Sequence, residues 1–250
     1  MDSVELREKE FHDKIFAEKT RAKVAPFYAL VTRSRKHYEN RLLRDCRGKR
    51  VLEYGCGTGS KAYMLAENGA EVVGIDISEE AIRQSTDRAH ALGLDGIEFH
   101  EMSAQDLQFE PGSFDVVCGS GILHHLDLPV AYREVSRVLK DQGTGIFFEP
   151  LGHNPLINWY RRRTPELRTP DEHPLLADDI ELARHYFAEV QVGYFHLTTF
   201  AAYPLRKLPG FRAAVSLFDQ LDRGIFGLLP FTRKQAWIAV LTLSRPRATS

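Results

Sequence analysis

The chain has 250 residues, enough for one generous α/β domain with insertions or two small domains. Apolar residues make up 43% and charged residues 27%, the composition of an ordinary soluble globular protein. Lysine plus arginine number 33 against 34 aspartate plus glutamate, a formal net charge of −1, so there is no global attraction to a polyanion and nucleic acid is not the default partner. The opening MDSVELREKE is acidic and lacks the apolar core of a signal or transit peptide. No apolar run approaches the roughly 20 residues of a membrane span, which leaves peripheral lipid contact open. Cys46, Cys56 and Cys118 are odd in number, with no CxxC and no zinc-ligand spacing. The expectation is a reduced, cytoplasmic protein without metal.

Residues 3–45 are charged and free of turn punctuation, with Phe11, Ile15 and Phe16 spaced for one helical face, which predicts an N-terminal helical segment over 1–47. Val51-Leu52-Glu53-Tyr54 reads as a short strand running into Gly55-Cys56-Gly57-Thr58-Gly59. A helix follows through Ala62 to Ala66 and stops near Asn68-Gly69. A second strand, Glu71 to Ile75, ends at Asp76; a helix over about 79–92 stops at Gly93; a strand surrounds Ile97-Glu98-Phe99. Phe114 to Cys118 is a buried strand, Pro129 to Leu139 a helix, Lys140 to Gly143 a turn, and Thr144 to Glu149 a strand. Residues 150–176 carry five prolines and little periodicity, an irregular insertion. A helix (about 178–187) and a strand (about 188–195) resume the alternation, and 196–235 form a second insertion before a last strand, Trp237 to Leu243. Within it Ala214, Leu217, Phe218, Leu221, Ile225 and Leu228 mark an apolar stripe beside Asp219, Asp222 and Arg223. That stripe can roof a substrate pocket, pack on the sheet or form a dimer contact.

Strands alternating with helices predict a Rossmann-like α/β fold: a mostly parallel sheet covered on both faces, with helical cap insertions. Right-handed crossovers then place the strand carboxyl ends on one edge, where chemistry is expected. One domain is expected over 1–250, with a cofactor-binding core at 48–150 and substrate-side insertions at 150–176 and 196–235.

Glycines at 55, 57 and 59 let the backbone turn tightly and approach a ligand without Cβ obstruction, and the helix they open offers free N–H groups to a polar moiety. Asp76, ending the next strand, suits the two hydroxyls of an adenosine ribose. A dinucleotide fingerprint would place a glycine where Ser60 stands. The observed E-x-G-x-G-x-G run led by Glu53 resembles instead that of the class I S-adenosylmethionine-dependent methyltransferases. VVGIDIS (72–78) is similar to the family's ribose-binding strand end and FHEMSAQDLQF (99–109) to its adenine-flanking loop. SFDVVCGSGILHHL (113–126) with AYREVSRVLKDQGTGIFFEP (131–150) is similar to the fourth strand, helix and fifth strand of its small-molecule members.

The resemblance implies a seven-stranded sheet whose final strand is antiparallel, and S-adenosylmethionine as cofactor with S-adenosylhomocysteine as product. It places Glu53, Gly55, Cys56, Gly57 and Gly59 around the methionine part, Asp76 on the ribose and Ile77 on the adenine. The family commonly has Asp where Ser103 stands, followed here by Ala104, so the adenine amine contact falls to Ser103, Gln105 or a backbone group. Gly119, Ser120 and His124 lie where the fourth strand meets cofactor and substrate. FHD (11–13) resembles an N-terminal segment that closes over the cofactor in some members.

Methyl transfer from a sulfonium is an in-line displacement at carbon, so much of the catalysis is positioning; a base is needed only where the acceptor loses a proton. His124, His125, Glu149, His153 and Tyr160 sit at or beyond strand carboxyl ends, with His124 and His153 ranked first as bases because neutral imidazole accepts a proton near pH 7. His124, His153 and Tyr160 are the catalytic candidates. His125, Asn154, Arg161 and Arg168 are the substrate-binding candidates, the arginines as clamps for a carboxylate or phosphate. The expected reaction is methylation of a small or medium-sized, anionic or hydrophobic acceptor by a monomer or homodimer. The competing readings are a catalytically silent cofactor-binding module, an NAD-dependent oxidoreductase, and a nucleic-acid methyltransferase, for which no Asn-Pro-Pro-aromatic run follows the fourth strand.

Overall fold

Short β-branched runs and amphipathic segments alternate through the middle of the chain and assemble as that alternation requires, into one seven-stranded sheet flanked by helices. The structure is a computed structural model describing residues 3–18, 29–44, 46–164, 169 and 172–247. Two helices come first, α1 (Ser3–Glu18) and α2 (Thr32–Leu43). The core follows as β1 (Arg50–Tyr54), α3 (Ser60–Glu67), β2 (Glu71–Asp76), α4 (Glu79–Leu92), β3 (Ile97–Glu101), β4 (Phe114–Ser120), α5 (Leu128–Val138) and β5 (Leu139–Pro150). Beyond it lie α6 (Pro155–Arg162), α7 (Ala177–Leu182), β6 (Phe187–Phe195), α8 (Phe211–Leu228) and β7 (Ile238–Pro246).

The strands lie in the order β3-β2-β1-β4-β5-β7-β6. Pairs among β1 to β5 are parallel, and β7 runs antiparallel to both β5 and β6. The winding reverses between β1 and β4, the switch point at which parallel sheets open a crevice at their carboxyl edge. Alternation along β1 feeds both faces. Leu52 and Tyr54 pack with Val73, Ile75 and Val117 on one side, while Val51 packs with Val72, Cys118, Ile146 and Val240 on the other. Local signals set the helix ends. The Ser78 side chain accepts from Ala81 N–H to start α4, which stops at Gly93 in the left-handed region (φ 64°). Asp127 accepts from Val130 N–H to start α5, one residue earlier than the Pro129 start expected from its sequence.

Several boundaries differ from expectation. Lys140–Gly143 is not a turn ahead of a strand but an outlooped part of β5: the pairing jumps from Phe114 with Leu139 to Val116 with Thr144. A Cβ at Gly143 would sit 2.8 Å from the Lys140 carbonyl oxygen, so the tight loop needs glycine. The first part of the 150–176 insertion is helical rather than irregular, because Asn154 accepts N–H groups from Leu156 and Ile157 and Pro155 starts α6. A bridge between Leu151 and Leu175 closes the excursion at its base. The helix expected over about 178–187 is split into α7 and the 3₁₀ turn Ala183–His185.

The largest difference concerns α8. Its buried positions are Val215, Asp219, Asp222 and Phe226, and Leu217, Leu221 and Leu228 face outward. Asp222 is fully buried because it accepts from Leu197 N–H (2.9 Å), Thr198 N–H (2.8 Å) and Thr199 Oγ1 (2.9 Å), pinning the 196–199 turn. Hydrogen bonding to that turn, rather than the leucine stripe, decides which face of α8 is inside. Among the described residues no helix is long and apolar enough to cross a membrane.

Candidate active site

The crevice at the β1–β4 switch point is a cavity of about 700 Å³, in the range of small-molecule sites. Its floor is the turn from β1 into α3. Gly55, Gly57 and Gly59 have φ of 70°, 52° and 72°, open to glycine at little cost. The turn is also crowded: a Cβ at Gly55 would lie 2.7 Å from Ile122 Cδ1, and one at Gly59 2.9 Å from Tyr63 Oη. Gly59 begins α3 without a capping side chain, and Glu53 supplies the missing acceptor by taking the Ala62 N–H at 2.7 Å. Glu53 lies 5% exposed, and burial pushes its carboxyl up to about 8 against the hydrogen bonds of the helix start. An acid in that state favours a cationic neighbour, which would let it ionise.

Asp76 ends β2 beside the glycine turn. One carboxylate oxygen accepts from Gly57 N–H (2.7 Å) and the other from Ser78 N–H (3.0 Å), which fixes the group at the cavity wall. Ile75, Ile77, Met102, Ser103 and Ala104 continue that wall. The donor set suits the expected cofactor: glycine backbone on one side, a fixed carboxylate for vicinal hydroxyls, apolar Ile77 for a flat base, and buried Glu53 for positive charge.

At the other end, the 3₁₀ turn Leu123–His125 after β4 points two imidazoles inward. Glu149 on β5 is fully buried beneath them and accepts N–H groups from Ile122 (2.9 Å) and Leu123 (3.0 Å). Its second oxygen lies 2.8 Å from His124 Nδ1. A carboxylate so placed makes Nδ1 the protonated nitrogen by hydrogen-bond logic, and leaves Nε2 as the acceptor. His124 Nε2 and His125 Nε2 stand 3.9 and 3.7 Å from Glu172 Oε2, and Glu172 is in turn held by Arg161 at 2.5 Å.

Helix α1 roofs the cavity. Glu5 bonds to Ser103 and Gln105, Asp13 to Ser78, and Lys9 to Glu101. The Phe16 ring comes 3.2 Å from where a Gly57 Cβ would lie. One turn apart on this helix, Glu8 and His12 face the imidazole of His125: Glu8 Oε2 is 3.4 Å from His12 Nε2 and 3.1 Å from His125 Nδ1. Burial pushes the Glu8 carboxyl up, but the facing His12 and His125 outweigh it and hold it below the usual carboxylate range. Glu8, His12 and His125, and likewise His124, His125 and Glu172, bring ligand atoms within 4.8 Å of one another.

Of the residues singled out from sequence, the cavity gathers Glu53, Gly55, Cys56, Gly57, Asp76, Ile77, Ser103, Ala104, Ser120, His124 and His125 along its wall. Gly59 and Gly119 stand behind it; Gly119 is crowded by Ile122, Phe147 and the Tyr54 carbonyl. His153 is turned away and accepts the Ala177 N–H at 3.0 Å, a helix-start contact rather than one to the cavity. Asn154 is the N-cap of α6 and donates to the Gln235 carbonyl at 2.7 Å, so its groups are used within the fold. Tyr160 on α6 is outside the lining, Arg161 reaches the site through Glu172, and Arg168 lies outside the described residues. Sequence reasoning missed Glu5 and Glu8; in Asp171-Glu172-His173 it offers metal ligands or turn caps rather than neighbours of His124. The spacing Glu8-x-x-x-His12 was the available signal for α1, whereas the approach of Glu172 and His173 to His124 depends on the folded-back insertion.

Fold and site together resemble those of the class I S-adenosylmethionine-dependent methyltransferases. Residues 45–164 match the family model described as a methyltransferase domain. An uncharacterized methyltransferase of Bacillus subtilis (strain 168), YcgJ, is 30% identical over 129 residues, 50% of this chain and 51% of that protein. Its crystal structure aligns with a TM-score of 0.57 at 20% identity, covering 84% of this chain and 99% of the other. A ubiquinone biosynthesis O-methyltransferase of Paraburkholderia xenovorans (strain LB400) is 36% identical over 108 residues, 43% of this chain and 46% of the relative. A phosphoethanolamine N-methyltransferase structure from Haemonchus contortus, at 17% identity, aligns over 93% of this chain and 59% of that one with a TM-score of 0.65. The chain spans about half the length of the curated relatives it matches.

Proposed function

We propose that this chain transfers a methyl group from S-adenosylmethionine to a hydroxyl of a small or medium-sized acceptor, with His124 as the general base. The observation that carries the proposal is the His124–Glu149 pair, 2.8 Å apart, in the same cavity as the glycine turn and Asp76. S-adenosylmethionine, when bound, supplies an already activated methyl group. Glu53, Asp76 and the glycine turn bind and orient it, and α1 excludes water from above. Glu149 holds the Nδ1 proton, so Nε2 of His124 takes the acceptor's hydroxyl proton as the oxygen attacks, and the carboxylate stabilises the imidazolium that results. Oxygen is favoured over carbon because a neutral hydroxyl gains most from a positioned base, and the ubiquinone biosynthesis O-methyltransferase relatives are named for that chemistry. His125, Glu8 and Glu172 make the acceptor end polar. The unit that does this is the chain as one domain, with the 48–150 core binding cofactor and α1 and the 150–176 insertion shaping the acceptor side. Three buried, unpaired cysteines fit a reducing, cytoplasmic setting.

The test is S-adenosylhomocysteine release with a panel of phenolic and aliphatic hydroxyl compounds. His124→Ala is expected to lower kcat by about 10²–10⁴-fold with cofactor affinity unchanged. Equal turnover in wild type and His124→Ala would overturn the base assignment, and no release with any acceptor would remove the reaction.

A further inference from the structure

Residues 196–235 join the end of β6 to the start of β7. Ile238 pairs with both Pro150 and Phe195, so this cap sits on the carboxyl edge of the sheet, the edge that carries the active-site cavity. Its inner side is satisfied by Val215, Phe226 and the two buried aspartates. Its outer side is apolar to an unusual degree: Leu208, Leu217, Leu221, Leu228 and Phe231 are 57, 57, 48, 83 and 70% exposed. On α8, Ala213, Leu217, Leu221, Gly224 and Leu228 follow one another at spacings of three or four residues, one continuous face opposite the buried one. The 3₁₀ segments Thr199–Leu205 and Pro230–Gln235 pack against α8 and present their own exposed leucine and phenylalanine beside it.

The charge of this cap is one-sided. Arg206, Lys207, Arg212, Arg223, Arg233 and Lys234 are all exposed, and its only acids, Asp219 and Asp222, are buried. We propose that the cap docks on an anionic lipid bilayer, its leucines entering the headgroup boundary and Arg206, Lys207, Arg233 and Lys234 meeting the lipid phosphates. The apolar face of α8 is bordered at its two ends by exposed cations of the neighbouring segments, Arg206 and Lys207 beside Leu208 and Arg233 and Lys234 beside Phe231, the combination by which interfacial helices bind anionic lipid. A second copy of the chain is a poor occupant, since a two-fold contact would set these cations against themselves. Nucleic acid offers the right charge but nothing for aliphatic side chains to enter. Docking by this edge would turn the cavity's side of the sheet toward the membrane, and it stands independently of the methyl-transfer reading.

The experiment is flotation of the full chain with vesicles of phosphatidylcholine alone or mixed with phosphatidylglycerol, at low and high salt. Wild type is expected to float with the mixed vesicles, at least tenfold less with the neutral ones, and to be released by salt. Leu217→Glu/Leu221→Glu and Arg206→Glu/Lys207→Glu are each expected to lose at least tenfold in binding while keeping the wild-type circular dichroism melt, because every substituted side chain is exposed. Failure of wild type to float, or flotation of the leucine variant at the wild-type level, would overturn the proposal. So would a wild-type dimer that the leucine variant dissociates without any vesicle binding in either protein.

Discussion

Replacing Glu53 with glutamine tests the physics of the cofactor end of the site. Burial raises this carboxyl from an ordinary 4.5 to about 8, so the folded protein keeps a proton that the unfolded chain has already released across that interval. Raising the pH from about 4.5 to about 8 therefore costs stability, with a slope approaching 1.4 kcal/mol per pH unit and a ceiling of about 5 kcal/mol. Below that window both states hold the proton and the contribution is flat. The amide of the Glu53→Gln variant stays neutral throughout and still offers an oxygen to the Ala62 N–H. Urea unfolding of both proteins at a series of pH values between about 5 and 9 should show Glu53→Gln gaining on wild type as the pH rises. A stability difference that is constant with pH, or that moves the other way, would refute the argument. A cationic ligand beside Glu53 should also draw out its proton. Wild type, which carries that proton in roughly nine molecules of ten at pH 7, should release protons on binding S-adenosylmethionine, and Glu53→Gln should release fewer.

Three further outcomes follow from single contacts. Glu149→Gln should lower kcat by about 10²-fold or more with little change in cofactor KM, since it weakens the hold on His124 Nδ1 without touching the glycine turn; steady-state kinetics separates the two. Asp222→Ala should destabilise the fold by about 3 kcal/mol, because the N–H groups of Leu197 and Thr198 lose a buried acceptor; thermal or urea melting reads this directly. Gly119→Ala should cost about 1–3 kcal/mol, since its Cβ would meet Ile122 Cγ2 at 2.6 Å and the Tyr54 carbonyl at 3.0 Å.

Much of this architecture is legible in the chain because it depends on neighbours in sequence. The glycine turn, Asp76 at the end of β2 and the Ser78 and Gly93 ends of α4 are local devices, and strands alternating with helices imply a parallel sheet with its site at the carboxyl edge. What stayed hidden depends on contacts across long separations. Asn154 looks like a ligand-facing amide until the fold gives it an α6 start to cap and the Gln235 carbonyl to meet. His153 is likewise claimed by Ala177. The helical wheel of α8 shows an apolar stripe correctly but not its orientation, because the deciding partners of Asp222 lie over twenty residues away in the turn after β6. Glu8 and His12 meet His125 only once α1 has folded over the sheet.

The central claim is that the crevice at the β1–β4 switch point binds S-adenosylmethionine through Asp76 and the glycine turn. Calorimetric titration of S-adenosylhomocysteine into wild type and Asp76→Ala, with NAD as a competitor, tests it most directly. The account predicts saturable binding to wild type that NAD does not displace, and at least a tenfold loss in Asp76→Ala. No binding to wild type, or binding that Asp76→Ala leaves intact, would contradict it.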